Sequence, residues 1–316
     1  MRALLLLAVS LQLRRCVSRP GCETWYDTTQ HGASWVSIAE FGAKPDGTDA
    51  TAAIQKAVDS KRGSVGAKLR ATVFVPSGEY VVSDTIVLWA ATTFVGSSSA
   101  APGCRSKLVL RDGAAGFSDS SALKPVLVTT GGYNRSAEAA KAAGWWNQAE
   151  NANDVFYNQI HSVDLRLGQN PGATGVMWHP AQGTSVRDMT IDARGAYSSL
   201  DYGSATGYFN VSGTVDGGGG GTLEGIRTQG GQYGVRGGGT NWMFRTLRVV
   251  NASVAGLQLN TGSWNNVFLD VVVSGSPVAV NLSQRNNNIV MLDSRLQCPA
   301  VPTKALVSNI GPQLVA

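Results

Sequence analysis

Apolar residues along this chain fall in short runs, and the spacing within those runs changes character twice. Val36-Ser37-Ile38 alternates and then gives way to Gly42-Ala43-Lys44-Pro45-Asp46-Gly47, a turn composition. Ala53, Ile54, Ala57 and Val58 next share one face at helical spacing, with Thr48 or Asp49 placed to cap the first turn and Arg62-Gly63 to end it. From Thr72 the pattern is strand-like, in Thr72-Val73-Phe74-Val75, Tyr80-Val81-Val82, Ile86-Val87-Leu88 and Thr93-Phe94-Val95. The turn Pro76-Ser77-Gly78 separates the first two.

Further along, an apolar triplet spaced three and then two apart recurs. It reads Ile160/Val163/Leu165, Val186/Met189/Ile191, Leu223/Ile226/Thr228, Phe244/Leu247/Val249 and Phe268/Val271/Val273, with Ile289/Leu292 continuing the series. Successive starts are 26, 37, 21, 24 and 21 residues apart, and the long step contains Gly217 to Gly221, an insertion looped out of the repeat. A second set lies between these: Val176-Met177-Trp178, Tyr208-Phe209, Tyr233-Gly234-Val235, Leu257-Gln258-Leu259 and Val278-Ala279-Val280. Each repeat therefore holds at least two short strands, the signature of a stacked coil. The fold expected is all-β, a right-handed parallel β-helix over residues 36–298 with an N-terminal helix covering its first rung. A lead precedes it at 19–35 and a tail follows at 299–316.

Composition agrees with this class. Of 316 residues 38 are Gly and only 15% are charged, a turn-rich β composition rather than a helical or disordered one. The net charge of +5 is scattered, with no basic run of the kind a nucleic-acid partner needs. Arg2 and the apolar run Ala3 to Val9 read as a secretory signal over residues 1–18, too short to span a bilayer, and no later segment looks transmembrane. The location expected is secreted and extracellular. Four sequons, at Asn134, Asn210, Asn251 and Asn281, fit that route as glycosylation acceptors. Removal of the signal takes Cys16 and leaves Cys22, Cys104 and Cys298; Cys22 and Cys104 both fall near the N-terminal end of the coil and are the expected disulfide, with Cys298 an edge thiol beyond the last rung.

The segments Phe41 to Gln55 and Val73 to Tyr80 resemble the opening of pectate-lyase-superfamily β-helices. Phe156-Tyr157-Asn158-Gln159-Ile160 and Gly175 to Ser185, with His31-Gly32, resemble the first β-helix of glycoside hydrolase family 55, exo-β-1,3-glucanases. That likeness implies carbohydrate metabolism. It also implies a general acid on a second β-helix, which has no counterpart in this sequence, so a second β-helix or a partner chain is expected at the C-terminal end. His179 stands where the family has Gln, while Gln182 and Ser185 are kept.

For chemistry, glycoside hydrolysis ordinarily uses two carboxylates facing one cleft. The candidates are Asp188 and Asp192 around a strand start, Asp201 on a loop and Glu224 at the next repeat. The calcium-binding acid cluster of pectate lyases and the signatures of polygalacturonases are missing, and three His with this Cys spacing make no zinc set. No metal and no cofactor is implied. The carbohydrate face is placed at Trp178, His179, Gln182 and Asp201; Trp242 and Trp264 are further aromatics able to stack on sugar or to fill the core. Two functions stay open: a secreted glycoside hydrolase of β-1,3-glucan type, or the N-terminal half of one, acting on a polysaccharide, and a non-catalytic carbohydrate-binding or extracellular-matrix β-helix.

Overall fold

The computed structural model describes Cys22 and residues 35–60, 71–99, 101, 103–130, 155–203, 219–259, 265–282 and 289–297, with the backbone path alone at 205–206, 214–215 and 307–309. The chain coils as a right-handed parallel β-helix. One 13-stranded sheet runs from Trp35–Ser37 through Ala71–Val75, Thr92–Gly96, Gln159–His161, Thr184–Ala193, Gly221–Gly230, Trp242–Val250 and Asn266–Ser274 to Ile289–Leu292. An 8-stranded sheet, with Asn170–Trp178, Ala196–Gly203, Tyr233–Gly238, Ala255–Leu259 and Val278–Leu282 among its members, closes the other side. The successive rungs pair parallel in both sheets.

The three-then-two spacing has a structural cause. In Thr184–Ala193, Val186 and Met189 both face inward because Asp188 between them takes a left-handed conformation, φ 49°, and bends the strand. The same register position is held by Ser162, Gly225, Thr246, Asp270 and Asp293, all at positive φ. Each triplet thus straddles one corner, and the inward column Val73–Phe94–Ile160–Val186–Leu223–Phe244–Phe268 fills the core rung upon rung. Phe244 and Phe268 stack with ring centroids 4.5 Å apart.

Three sequence expectations need correction. Phe268 pairs with Met291, so the last triplet is Met291/Ser294/Leu296, and Leu292 points outward, 51% exposed. Ser294 is polar, so apolar periodicity does not disclose the register of the last rung. The strand between Val176 and Val235 in the second sheet is centred on Leu200, not on Tyr208-Phe209, which lies outside the described residues. Its neighbours Ser198, Ser199 and Asp201 are polar yet buried, so no alternation shows in the sequence; Asp201 accordingly sits in a strand, not on a loop.

The helix Thr51–Ser60 packs Ile54, Ala57 and Val58 into the same core as Val36, Val73 and Val87. Asp49 Oδ1 accepts from Thr51 N at 2.9 Å and caps it. Arg62 and Gly63, read as its stop, lie outside the described residues. Cys22 and Cys104 are joined by a disulfide, Cα atoms 5.3 Å apart, which ties the lead to the loop before Ser106–Leu110. Cys298 and residues 1–18 lie outside the described residues.

Candidate functional site

The sequence-selected residues divide between a buried cluster and an exposed corner. Trp178 is wholly buried, in register with Tyr202, whose ring meets Trp242 and Phe244 edge-on inside the coil. No face of Trp178 is open to a sugar, so this ring fills the core and is not the stacking surface expected from sequence. Trp242 is likewise core, 1% exposed, and Trp264 lies outside the described residues.

Asp201 is buried as well, and lies on the outer side of the second sheet in register with Met177 and Arg236. Arg236 donates to Asp201 Oδ2 from both Nε, at 2.9 Å, and Nη2, while Ser198 Oγ donates to Oδ1. The Arg236 guanidinium in turn lies over the Tyr197 ring, 4.9 Å from its centroid. His179 is 94% out of solvent beside this pair, and its Nε2 has no hydrogen-bond partner. Burial pushes its pKa down to about 4, with the neighbouring Asp201 opposing that fall and Arg236 adding to it. These groups form a closed, charge-balanced knot under the surface.

Gln182 is different. It is exposed at the corner that leads from the second sheet into the first. That corner repeats a left-handed residue on successive rungs: Ala91, Tyr157, Gly183, Gly220, Asn241 and Asn265, φ 55° to 88°. The residue after it caps the turn. Asn158 Oδ1 accepts from Ala91 N and its Nδ2 donates to Trp89 O, and Asn266 Oδ1 accepts from Trp242 N. Asn at these corners therefore serves backbone structure, in line with its sequence pattern.

Glycine at 183 has a specific use, since a Cβ there would come within 2.7 Å of the Tyr157 ring. Tyr157 lies across Gly183 and keeps 46% of its surface exposed, the most exposed aromatic among the described residues. The Gln182 side chain runs beside Gly220 in the same way, its Cγ 3.5 Å from where a Cβ would stand. An exposed phenol ring, an exposed carboxamide and bare backbone thus adjoin on one outward corner. An aromatic face with amides at its rim is a surface suited to a sugar ring. The sequence held a signal for this: Tyr157 lies inside the segment that carried the family resemblance, but its exposure depends on a left-handed backbone that no periodicity reveals.

Next to the corner, Gln159, Ser185 and Thr222 continue outward along the first sheet in register, and His161 Nε2 is 3.2 Å from Ser185 Oγ. Most of the described carboxylates on this face are held by cations: Glu79 by Lys107, Asp164 and Asp188 by Arg105, Asp192 by Arg194, Glu224 between Arg187 and Arg245, and Asp270 by Arg248, whereas Asp293 at the last corner is exposed. Asp164 and Asp188 come together, but only through Arg105 between them. Burial opposes the charge on Asp188, yet the Ser162 hydroxyl and Arg105 outweigh it and hold its pKa below the usual carboxylate value. The Arg194 hydrogen bond lowers Asp192 likewise, against some burial. A general acid needs the opposite, a carboxyl held protonated by its surroundings.

Among the described residues no group of three His, Cys, Asp or Glu could hold a metal ion, and no helix is long and apolar enough to cross a membrane. Of the sequons, Asn251 is exposed at a corner, φ 57°, whereas Asn281 Nδ2 donates to Gln258 Oε1 at 2.7 Å. Asn134 and Asn210 lie outside the described residues.

Among curated proteins, the chain is 27% identical over 305 residues to a non-secreted LysM effector of Penicillium expansum, covering 87% of this chain and 19% of that protein. It is 26% identical over 275 residues to a probable glucan endo-1,3-beta-glucosidase of Arthroderma benhamiae, covering 83% of this chain and 28% of that one. A glucan 1,3-beta-glucosidase of Cochliobolus carbonum matches at 24% over 279 residues, 82% of this chain and 31% of that protein. The chain thus spans under a third of the length of the curated relatives it matches. Among solved structures, an iota-carrageenase complexed to iota-carrageenan fragments superposes with a TM-score of 0.54 at 14% identity, covering 84% of this chain and 52% of that one. The catalytic unit of an α-1,3-glucanase from Streptomyces thermodiastaticus gives 0.53 at 13%, covering 88% and 42%. At such identity these two establish the fold. The model of the family described as rhamnogalacturonase A/epimerase, pectate lyase-like matches residues 35–281, most of the chain, and the chain belongs to that family.

Proposed function

We propose that this coil is the glycan-holding part of a secreted, β-1,3-glucan-directed glycoside hydrolase, and that the exposed corner around Tyr157 and Gln182 is where the polysaccharide rests. The observation that carries this reading is the Tyr157 ring laid over Gly183 beside Gln182, in a chain whose curated relatives include two proteins named as glucan glucosidases. In this reading the proton donor comes from a second β-helix or a partner chain, because Asp164, Asp188, Asp192, Glu224 and Asp270 are committed to arginine. Of the two described sequons, Asn251 is the better placed for glycosylation during secretion.

That same pairing favours a second reading, a non-catalytic β-helix that binds glycan without cleaving it. Incubating the purified protein with laminarin, with carrageenan and polygalacturonate as controls, separates the outcomes. Retention on laminarin with release of glucose supports the hydrolase; retention without release supports the binding protein. Equal retention on all three, or none on laminarin, contradicts the β-glucan assignment.

A further inference from the structure

The left-handed corner does not stop at Tyr157. Tyr157, Gly183, Gly220, Asn241 and Asn265 occupy the same register position on five successive rungs, and each is exposed or partly exposed. Two of their backbone N–H groups are spent within the coil: Tyr157 N donates to Gln182 O and Gly220 N to Thr240 O, each reaching the rung that follows. Along the corner stand an aromatic ring at one end and two carboxamides at the other, with two glycines between. Four rung steps at roughly 4.8 Å place the Tyr157 and Asn265 positions about 19 Å apart along the coil axis.

Among the described residues, no side chain fills the middle of this line. Gly183 is spanned by the Tyr157 ring and Gly220 is flanked by the stem of Gln182, which leaves a low floor between the ring and Asn241. A left-handed position does not force glycine here, since Tyr157, Asn241 and Asn265 adopt φ 63°, 60° and 55° at the same register. An extended glycan advances by a length comparable to one rung per sugar. It presents alternating flat C–H faces and hydroxyls, the complements of a ring and of an amide that both donates and accepts.

We infer that the corner is an axial track for an oligosaccharide of four to five sugars, anchored by stacking on Tyr157 and read at its far end by the Asn241 and Asn265 carboxamides. This rests on the glycan-holding reading above and adds the direction of the chain and the length it must have. It makes Asn241 a specificity residue for chain length rather than for sugar identity. A disaccharide seated on Tyr157 does not reach it.

The test uses laminari-oligosaccharides of two to six units and isothermal titration with the full chain. Asn241→Gly and Asn265→Gly are the variants of choice, because glycine keeps the left-handed backbone without strain and leaves the fold intact. Affinity is expected to rise with length up to five units and then level off. Asn241→Gly is expected to weaken the five-unit ligand three- to ten-fold and to leave the two-unit ligand unchanged. An affinity that does not grow beyond two units, or an Asn241→Gly variant with wild-type affinity at every length, overturns the track while leaving glycan binding standing. Failure of every oligosaccharide to bind overturns the track and the glycan reading together.

Discussion

The Asp201 carboxylate is enclosed against the Arg236 guanidinium with essentially no exposure of either side chain, and the His179 imidazole is packed beside them. Taking a charge pair out of water is costly, and removing one partner strands the other. Asp201→Ala is expected to lower unfolding stability by about 3–5 kcal/mol, measured by urea denaturation. Asp201→Leu combined with Arg236→Met is expected to cost less than Asp201→Ala alone. Equal or greater loss in the double variant would mean that the pair contributes more than charge balance.

His179 gives a pH signature. Its pKa is about 4 in the folded chain against an ordinary 6.5, so between these values the unfolded chain binds the extra proton. Stability is full above pH 6.5 and falls as pH drops toward 4, by on the order of 3 kcal/mol for this group. The expected result is that His179→Gln flattens this limb of the stability profile relative to wild type. A wild-type slope in the variant would assign the acid sensitivity to other groups.

The Cys22–Cys104 bond closes a separation of 82 residues. Constraining so long a loop in the unfolded chain stabilises by roughly 2–4 kcal/mol. Cys22→Ala and Cys104→Ala should lower the melting temperature by the same amount, with no further fall in the double variant. Unequal losses would show that one side chain matters for packing rather than for the bond.

Arg105 reaches Asp164 through Nε and Nη2 and Asp188 through Nη1, at 2.6 to 3.1 Å. A planar guanidinium holds both carboxylates at once, as an ammonium does not. Arg105→Lys is expected to destabilise measurably, by about 1–2 kcal/mol in chemical denaturation. A neutral result would mean that solvent already screens these contacts.

How far the sequence discloses the molecule follows from what periodicity encodes. Val186/Met189/Ile191 and its repeats declare the coil because a corner residue such as Asp188 adds one step to an otherwise alternating strand. Ala196–Gly203 stays hidden because Ser198, Ser199 and Asp201 are buried by hydrogen bonding and ion pairing rather than by apolarity. The candidate site is harder still. Trp178 and Tyr157 are both aromatic in family-like segments, and only the fold shows that the first fills the core while the second lies outside on Gly183.

The central claim, that glycan rests on the exposed corner, is tested most directly by one titration of Tyr157→Gly against laminaripentaose beside wild type. Glycine suits the φ of 63° at this position and removes only the ring. Loss of a stacked aromatic corresponds to about 0.5–1.5 kcal/mol, so affinity should fall roughly three- to ten-fold with the melting temperature little changed. Wild-type affinity in Tyr157→Gly would contradict the account and move the glycan to another face of the coil.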